Sequence, residues 1–554
     1  MAKSYIIKSD LLRPLSAINV IQNGTEAYFR ELRRNNDPFI AVAAWCGLLD
    51  NKAMSMPLVD EALPFARYNA IRSRLFNYLH GIGERDLARK VALTDVAAET
   101  AAHQQAMLAD LDHNFAQAAE AAGALYLASG EPSYLNRASN MAELAGGWRD
   151  GLAWTVRSIA ASPFGAAGIV RLYALLESSA QPELLEEAAE LFAARNLYLQ
   201  VGQVFRASAA LVRKNPQLAL DLLKPFTDEK INDSKALQTY RGTIYAHRAE
   251  AEERLGNFKK AYEGYIALNA FEKSTEINPE HYYRGVEARN RLEIPKLPPD
   301  SYPHVVQMLG FPRSGTTLLE NVLAAHPMIE TFEEIPALTA TIDRIEQVML
   351  KKRQPEPPEA TFAAARTTYF TDMLSRRKKP DANVLVDKMP IRSAEAAFIG
   401  RLFPEWRYVF SIRHPFDVVL SCFKQRFAPN TAMENFRTIE QSARIYDFAM
   451  TQWFANHTMA DPNVHYVRYD DLVTDFEPTA KAAFDFLGVP WDDAVRDFST
   501  NAEKRAAKTP SYMKVRQGLS IGVQSSWKKY GFVFQSEATK PLKKWAEFFG
   551  YPTE

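Results

Sequence analysis

The chain has 554 residues, 47% hydrophobic and 24% charged, a length and balance that predict about two to four globular domains with sizeable cores. Its 66 Lys and Arg offset 66 Asp and Glu, so bulk charge argues against a nucleic-acid or membrane partner. Two cysteines, Cys46 and Cys422, are too few for a disulfide framework or a zinc site and fit a reducing compartment. The start, Met1 to Asp10, has no signal-peptide apolar region, and the longest apolar run, near Phe39–Leu49, is too short to span a bilayer. A soluble cytoplasmic protein is the expectation. Residues 1–100 read as a helical N-terminal region. Phe39–Leu49 reads as a buried helix, and Asp60 to His80 has helical spacing of Leu63, Ala66, Ile71, Leu75 and Tyr78.

From Ala101 to about residue 293 the composition shifts to alanine- and leucine-rich helical segments with Gly-x-aromatic punctuation. In Ala249–Leu268 a helix ends at Leu255-Gly256, a short turn follows, and a second helix opens at Phe258 and carries Ala261 and Tyr265. The small residue allows close helix approach while the aromatics fill the groove. This unit resembles a tetratricopeptide repeat (TPR), with weaker copies at Ala122–Met141, Gly147–Ala153 and Leu211–Leu223. Any one copy reads equally well as a generic helical hairpin. Several copies near the ~34-residue period predict a helical solenoid, whose concave face would receive a peptide or partner protein. Solenoids also self-associate, so a homo-oligomer stays open.

The proline-rich stretch Ile294–Pro303 cannot continue a helix and predicts the linker to a last domain over residues 304–554. There, strand-like runs at Val305–Leu309, Val384–Val386, Tyr408–Ile412 and Val464–Tyr469 alternate with helical ones such as Thr317–Ala325 and Phe416–Phe427. That alternation predicts a three-layer α/β domain with a parallel sheet. Lys351–Pro358 reads as an exposed loop, a candidate flap.

The most informative stretch is Val305 to Leu318: an apolar strand, a turn Gly310-Phe311-Pro312-Arg313-Ser314-Gly315, then Thr316 and Thr317 opening a helix. The spacing is that of a phosphate-binding Walker loop, except that Thr316 replaces the lysine and Arg313 supplies a cation earlier. Backbone N–H groups and a helix start still suit an anion. Without the lysine that reaches β- and γ-phosphates, the loop suits one phosphate group rather than a triphosphate. A second strand-to-helix junction carries Arg413, then Pro415, then Ser421 eight residues after the arginine. A guanidinium and a hydroxyl there make a second anion site.

Together these motifs resemble those of sulfotransferases, over most of residues 302–554. The loop resembles the one that receives the 5′-phosphosulfate of PAPS (3′-phosphoadenosine 5′-phosphosulfate), and Arg413 with Ser421 resembles the 3′-phosphate motif. Pro-Arg-Ser-Gly-Thr-Thr is closer to the tyrosylprotein branch than to the cytosolic small-molecule enzymes. The resemblance implies cofactor-binding roles for Pro312, Arg313, Ser314, Gly315, Thr316, Thr317, Arg413 and Ser421, with Tyr469 lining the nucleotide site. Lys388, in Leu385–Pro390, is implied to lie beside the sulfuryl group, with Arg313. Glu334, in Phe332–Pro336 and 21 residues after Arg313, is implied as the catalytic base, with Glu333 the fallback. In the tail, residues 501–530 hold seven Lys or Arg against one acid. Ser511 is implied near the sulfate and Ser526 or Lys528 near the 3′-phosphate, although the family often has lysine where Ser526 stands. The implied reaction moves a sulfuryl group from PAPS to an acceptor hydroxyl, a protein tyrosine or other phenol among the candidates, and releases adenosine 3′,5′-bisphosphate (PAP).

His326 and His414 read as scaffold and Trp453, Trp491 and Trp545 as core. No cluster has metal-ligand spacing, and direct transfer needs no metal. Two other readings remain: an ATP-dependent phosphotransferase, opposed by the missing lysine, and a non-catalytic nucleotide-binding scaffold.

Overall fold

The structure is a computed structural model describing residues 9–12, 25–51, 53–82, 84–94, 114–162, 165–194, 199–297, 305–352, 357–498 and 525–553. Two compact units divide between Leu255 and Gly256. The first is built of helices. Pro38–Asp50 is one of them; Asp37 accepts from the N–H groups of Phe39 and Ile40, satisfying two of the donors a helix start leaves open. Its apolar run is buried, as the sequence predicts. Asp60 to His80 is not one helix. Met56–Ala62 passes into a tighter 3₁₀ turn, Leu63–Arg67, before Asn69–Gly81. Pro64 explains the change, since it lacks the N–H that a continued α-helix needs.

Further along, helices Phe115–Ser129, Ser133–Gly146, Trp148–Ala161, Ala166–Ser178, Pro182–Ala194 and Leu199–Val212 each pack on the next, around Leu172, Leu175, Phe192 and Phe205. Asn215 caps Pro216–Leu223 by accepting from Leu218 N–H. The unit boundary falls inside Ala249–Leu268: Arg241–Arg254 belongs to the first unit and Phe258–Glu272 to the second.

The second unit is an α/β domain. Its five strands are β1 (Val305–Leu309), β2 (Ile329–Glu333), β3 (Val384–Lys388), β4 (Arg407–Ile412) and β5 (Val464–Arg468). They lie in the order β2-β3-β1-β4-β5, and every pairing is parallel. Parallel neighbours need crossover connections, which the intervening helices provide. The strands β1 and β3 are buried along their whole length, as a sheet covered on both faces requires. The edge strand β2 adds to the four that the sequence predicts. Ala337–Lys352 is helical, so Lys351 and Lys352 end a helix rather than open a loop.

Two helices ahead of the proline-rich stretch pack against this domain. Asn269 donates to the carbonyl of Phe423 (2.8 Å), Tyr283 to Asn435 (2.9 Å), and Arg289 pairs with Glu395 (2.8 Å). Residues 298–304, most of the predicted linker, lie outside the described residues.

Candidate active site

Parallel pairing turns every strand's carboxyl end toward one edge of the sheet. In open α/β sheets, ligands lie beyond that edge, where the strand order reverses. Here β1 is the central strand, flanked by β3 and β4. Gly310–Gly315 leaves β1, Glu334 follows β2, Lys388 ends β3, Arg413 follows β4 and Tyr469 follows β5. Residues separated by up to 159 positions in sequence are thus carried to one edge by the topology.

The loop is held in shape by its own bonds and by β4. Ser314 N–H donates to the Phe311 carbonyl (3.0 Å), Phe311 N–H to Ser314 Oγ (3.3 Å), and the Ser411 hydroxyl to the Ser314 carbonyl (2.9 Å). The Cys422 thiol donates to the carbonyl of Pro312. Gly315 has φ 101°, and a Cβ there would lie 2.5 Å from Cδ2 of Tyr469. Only glycine satisfies both the angle and the space. Gly315→Ala should therefore cost about 1–3 kcal/mol of stability and push Tyr469 off the loop. Urea denaturation measures the first effect, and binding of PAP, the ligand that the resemblance implies, reads the second. The helix Thr316–Ala325 starts at Gly315 with no side-chain cap, leaving the first-turn N–H groups of a glycine-flanked loop as anion donors. Thr316 and Thr317 are both buried.

Arg413 stacks over Tyr469, its guanidinium carbon 4.6 Å from the ring centroid, and its Nη1 donates to the Arg313 carbonyl at 3.4 Å. Ser421 lies on the helix Pro415–Phe423, and Arg313 Nε donates to its hydroxyl at 3.1 Å. The eight-residue spacing thus closes through Arg313. Burial lowers the Arg313 pKa, and the neighbouring positive Arg413 lowers it further, against opposing effects of Cys422 and Tyr469. Two half-buried arginines, one bonded to the carbonyl of the other, are suited to an anion beside them.

The second cluster surrounds Lys388, which is 0% exposed. Its ammonium donates to Glu333 Oε1 (2.9 Å) and lies 3.3 Å from Glu320 Oε2 and 3.4 Å from Glu334 Oε1. Burial by itself disfavours the charged lysine, but the three carboxylates outweigh it and hold the ammonium above its usual range. Glu333 is enclosed, whereas the Glu334 side chain is 43% exposed. Glu334 has φ 48° and donates its N–H to the Lys388 carbonyl (2.9 Å). Among the described residues, five non-glycine residues have positive φ, and three of them, Arg313, Glu334 and Ser525, belong to this region. Such strain persists where surrounding structure enforces it.

Two residues here escaped the sequence reading. Glu320 is one, detectable as the lone charged residue of its helix, one turn after Thr316. Asp417 is the other. Its carboxylate accepts from Ser525 N–H (3.0 Å), Ser526 Oγ (2.8 Å) and Trp527 N–H (2.9 Å), pinning the tail to the Arg413–Ser421 junction. Ser526 is thereby engaged with Asp417, and Lys528 Nζ lies 5.9 Å from the Trp527 ring centroid. Ser511 lies outside the described residues.

The histidines hold backbone. His326 accepts from Met328 N–H (3.1 Å), with Nε2 2.8 Å from the Pro490 carbonyl. His414 Nε2 is 2.8 Å from the Pro552 carbonyl, its ring packed against Trp527 and Tyr551. Trp453 and Trp545 are buried. Trp491 is only half-buried and donates to Asp493, because its polar edge reaches the surface. Among the described residues there is no group of three or more His, Cys, Asp or Glu arranged to hold a metal, and no helix is long and apolar enough to cross a membrane.

Residues 305–493 match a family model described as Sulfotransferase family, a span that contains the loop, the Lys388 cluster, Arg413, Ser421 and Tyr469. Curated relatives include protein-tyrosine sulfotransferase 1 of Danio rerio, 23% identical over 34% of this chain and 53% of its own length, and protein-tyrosine sulfotransferase A of Caenorhabditis elegans, 26% identical over 34% and 50%. An uncharacterized protein of Aquifex aeolicus is 25% identical over 63% of this chain and 50% of its own. The chain spans about half the length of these curated relatives. Among solved structures, the sulfotransferase domain from the curacin biosynthetic pathway is similar at 19% identity and TM-score 0.34, covering 46% of this chain and 100% of that one.

Proposed function

We propose that the unit from Gly256 onward is a PAPS-dependent sulfotransferase acting on an acceptor hydroxyl. The observation that carries this reading is the convergence, at one sheet edge, of a glycine-flanked loop at a helix start, a half-buried arginine pair and an ammonium ringed by carboxylates. Two separated anion sites suit a nucleotide with distinct 5′ and 3′ phosphates, and the family match spans both. The loop N–H groups, Thr316 and Thr317 would hold the 5′-phosphosulfate, with Arg413, Ser421 and Tyr469 at the nucleotide's 3′-phosphate side.

Arg313, drawn to Ser421, serves the phosphates more directly than the sulfuryl group, a shift from the role that the resemblance implies. Glu334 takes the acceptor proton. It is the accessible member of the carboxylate pair, and a base must touch the proton it removes. The acceptor oxygen forms its bond to sulfur as the sulfur–phosphate oxygen bond breaks, and Lys388 counters the charge left on the phosphate. Ser511 would join it from the tail. The favoured acceptor is a phenol, a tyrosine side chain included, with the helical first unit offering a surface for a peptide or protein.

The test is incubation of the full chain with sulfur-labelled PAPS and a cell extract. Label on an extract component, accompanied by PAP release, is the expected result. Thermal protection by ATP but not PAPS would support phosphoryl transfer instead, and tight PAPS binding without any transfer would support a non-catalytic scaffold.

A further inference from the structure

Beyond the two threonines that open it, the helix Thr316–Ala325 is apolar except at two buried polar positions, Glu320 and Asn321. Asn321 is explained locally, since its Nδ2 donates to the Thr317 carbonyl one turn back (2.8 Å). Glu320 is not. It is 0% exposed, and a carboxylate there is costly unless it is paired. Its two oxygens reach two different elements. Oε1 accepts from the Thr331 hydroxyl of β2 at 3.0 Å, and Oε2 lies 3.3 Å from the ammonium of Lys388 on β3. Thr316 and Glu320 are four residues apart, one above the other on the same helix.

The helix that begins at the phosphate loop is therefore tied by one carboxylate to the strand end that presents the lysine. Glu333 is the closer partner of Lys388, and Glu320 helps to compensate the same charge. What Glu320 adds besides is direction. Glu333 and Glu334 both approach from the end of β2, while Glu320 approaches from the loop helix.

We propose that Glu320 is a positioning residue of the transfer site: it fixes the Lys388 ammonium relative to the phosphate loop, so that loop and lysine present one rigid geometry to the donor. The proposal rests on the sulfotransferase reading, and it locates the geometric precision of that site in a residue that touches no reactant. Small displacements of an aligned group are expensive in rate, about 10- to 100-fold for a shift near 1 Å.

The test uses the full chain with Glu320→Met and Glu320→Gln. Glutamine keeps one oxygen that can accept from Lys388 while its amide NH2 donates to the Thr331 hydroxyl, and methionine keeps the volume without acceptors. Reductive dimethylation with peptide mass spectrometry reads the tether without reference to activity. Lys388 should stay protected in the wild type and in Glu320→Gln, and become labelled several-fold faster in Glu320→Met. In the transfer assay, Glu320→Met should lower kcat about 10- to 100-fold with a nearly unchanged KM for PAPS, and Glu320→Gln should recover most of the loss. Equal protection of Lys388 in all three proteins would overturn the proposal, as would a Glu320→Met enzyme with wild-type kcat or a change confined to KM. If the wild type transfers nothing from PAPS, the sulfotransferase reading fails, and the labelling still decides whether Glu320 fixes the lysine.

Discussion

Lys388→Met should abolish transfer and destabilise the α/β unit by about 3–5 kcal/mol. The reason lies in what remains. Lys388 and Glu320 are both 0% exposed and the Glu333 side chain is 2% exposed, so removing the ammonium leaves two enclosed carboxylates facing each other with Glu334 at the rim. Breaking a buried ion group by deleting one partner is far worse than replacing the whole group, because the surviving charge is neither solvated nor compensated. The pH behaviour follows from the direction of the lysine's shift. Its folded pKa is raised above the unfolded value, so its contribution is complete below the usual lysine range and is lost only as pH climbs through the folded value. Between pH 6 and 9, then, wild-type stability should show no slope from Lys388. Urea midpoints at these pH values test both statements. The double variant Lys388→Met/Glu320→Gln should recover part of the loss, since it removes one of the stranded charges. A single variant less than about 1 kcal/mol below wild type, the range of an exposed pair, would mean that the ammonium does not compensate the cluster.

The same cluster shows where sequence patterns stop carrying information. The loop after β1 and the Arg413–Ser421 junction were legible because their chemistry is local: glycines at fixed spacing, a proline at a helix start, an arginine at a strand end. Strand β2 was not. In Ile329-Glu330-Thr331-Phe332-Glu333 each face of the strand mixes an acid with an apolar residue, so no period of two marks it out. In the fold, Glu330 and Glu333 are both buried. Glu330 accepts from the N–H groups of Lys378 and Lys379, and Glu333 from Lys388. Their partners lie about fifty residues away, so no window along the chain contains the reason for burying them. The unit boundary failed to show for a related reason. Prolines near residue 300 mark a break in the backbone pattern. The contacts that join Phe258–Glu272 and Glu280–Arg291 to the α/β domain are made by Asn269, Tyr283 and Arg289 with groups more than a hundred residues further on. Punctuation in a sequence marks where helices stop, and compact units are decided by which faces they bury.

Glu334→Gln should lower turnover by about 10²–10⁴-fold, the usual worth of a general base, while PAP binding and the urea midpoint stay near wild type. The difference from Lys388 is one of burial: the Glu334 side chain is 43% exposed, so an amide there leaves nothing stranded. The backbone supplies a second, sharper variant. At φ 48° a non-glycine residue is strained by about 1–3 kcal/mol, and this strain is held by the N–H bond to the Lys388 carbonyl. Glu334→Gly removes the carboxylate and the strain together, so it should be inactive yet no less stable than wild type. Glu333→Gln makes the contrast, because it removes a charge bonded to the buried ammonium and should lose both stability and activity. If Glu334→Gln instead turned over within a few-fold of wild type while Glu333→Gln did not, the base would be the enclosed carboxylate, and the acceptor would have to enter far enough to reach it. If the three variants behave as stated, the positive φ at Glu334 is strain retained for chemistry: the geometry that turns this carboxylate outward from the end of β2 is the one that lets it meet an incoming hydroxyl beside Lys388.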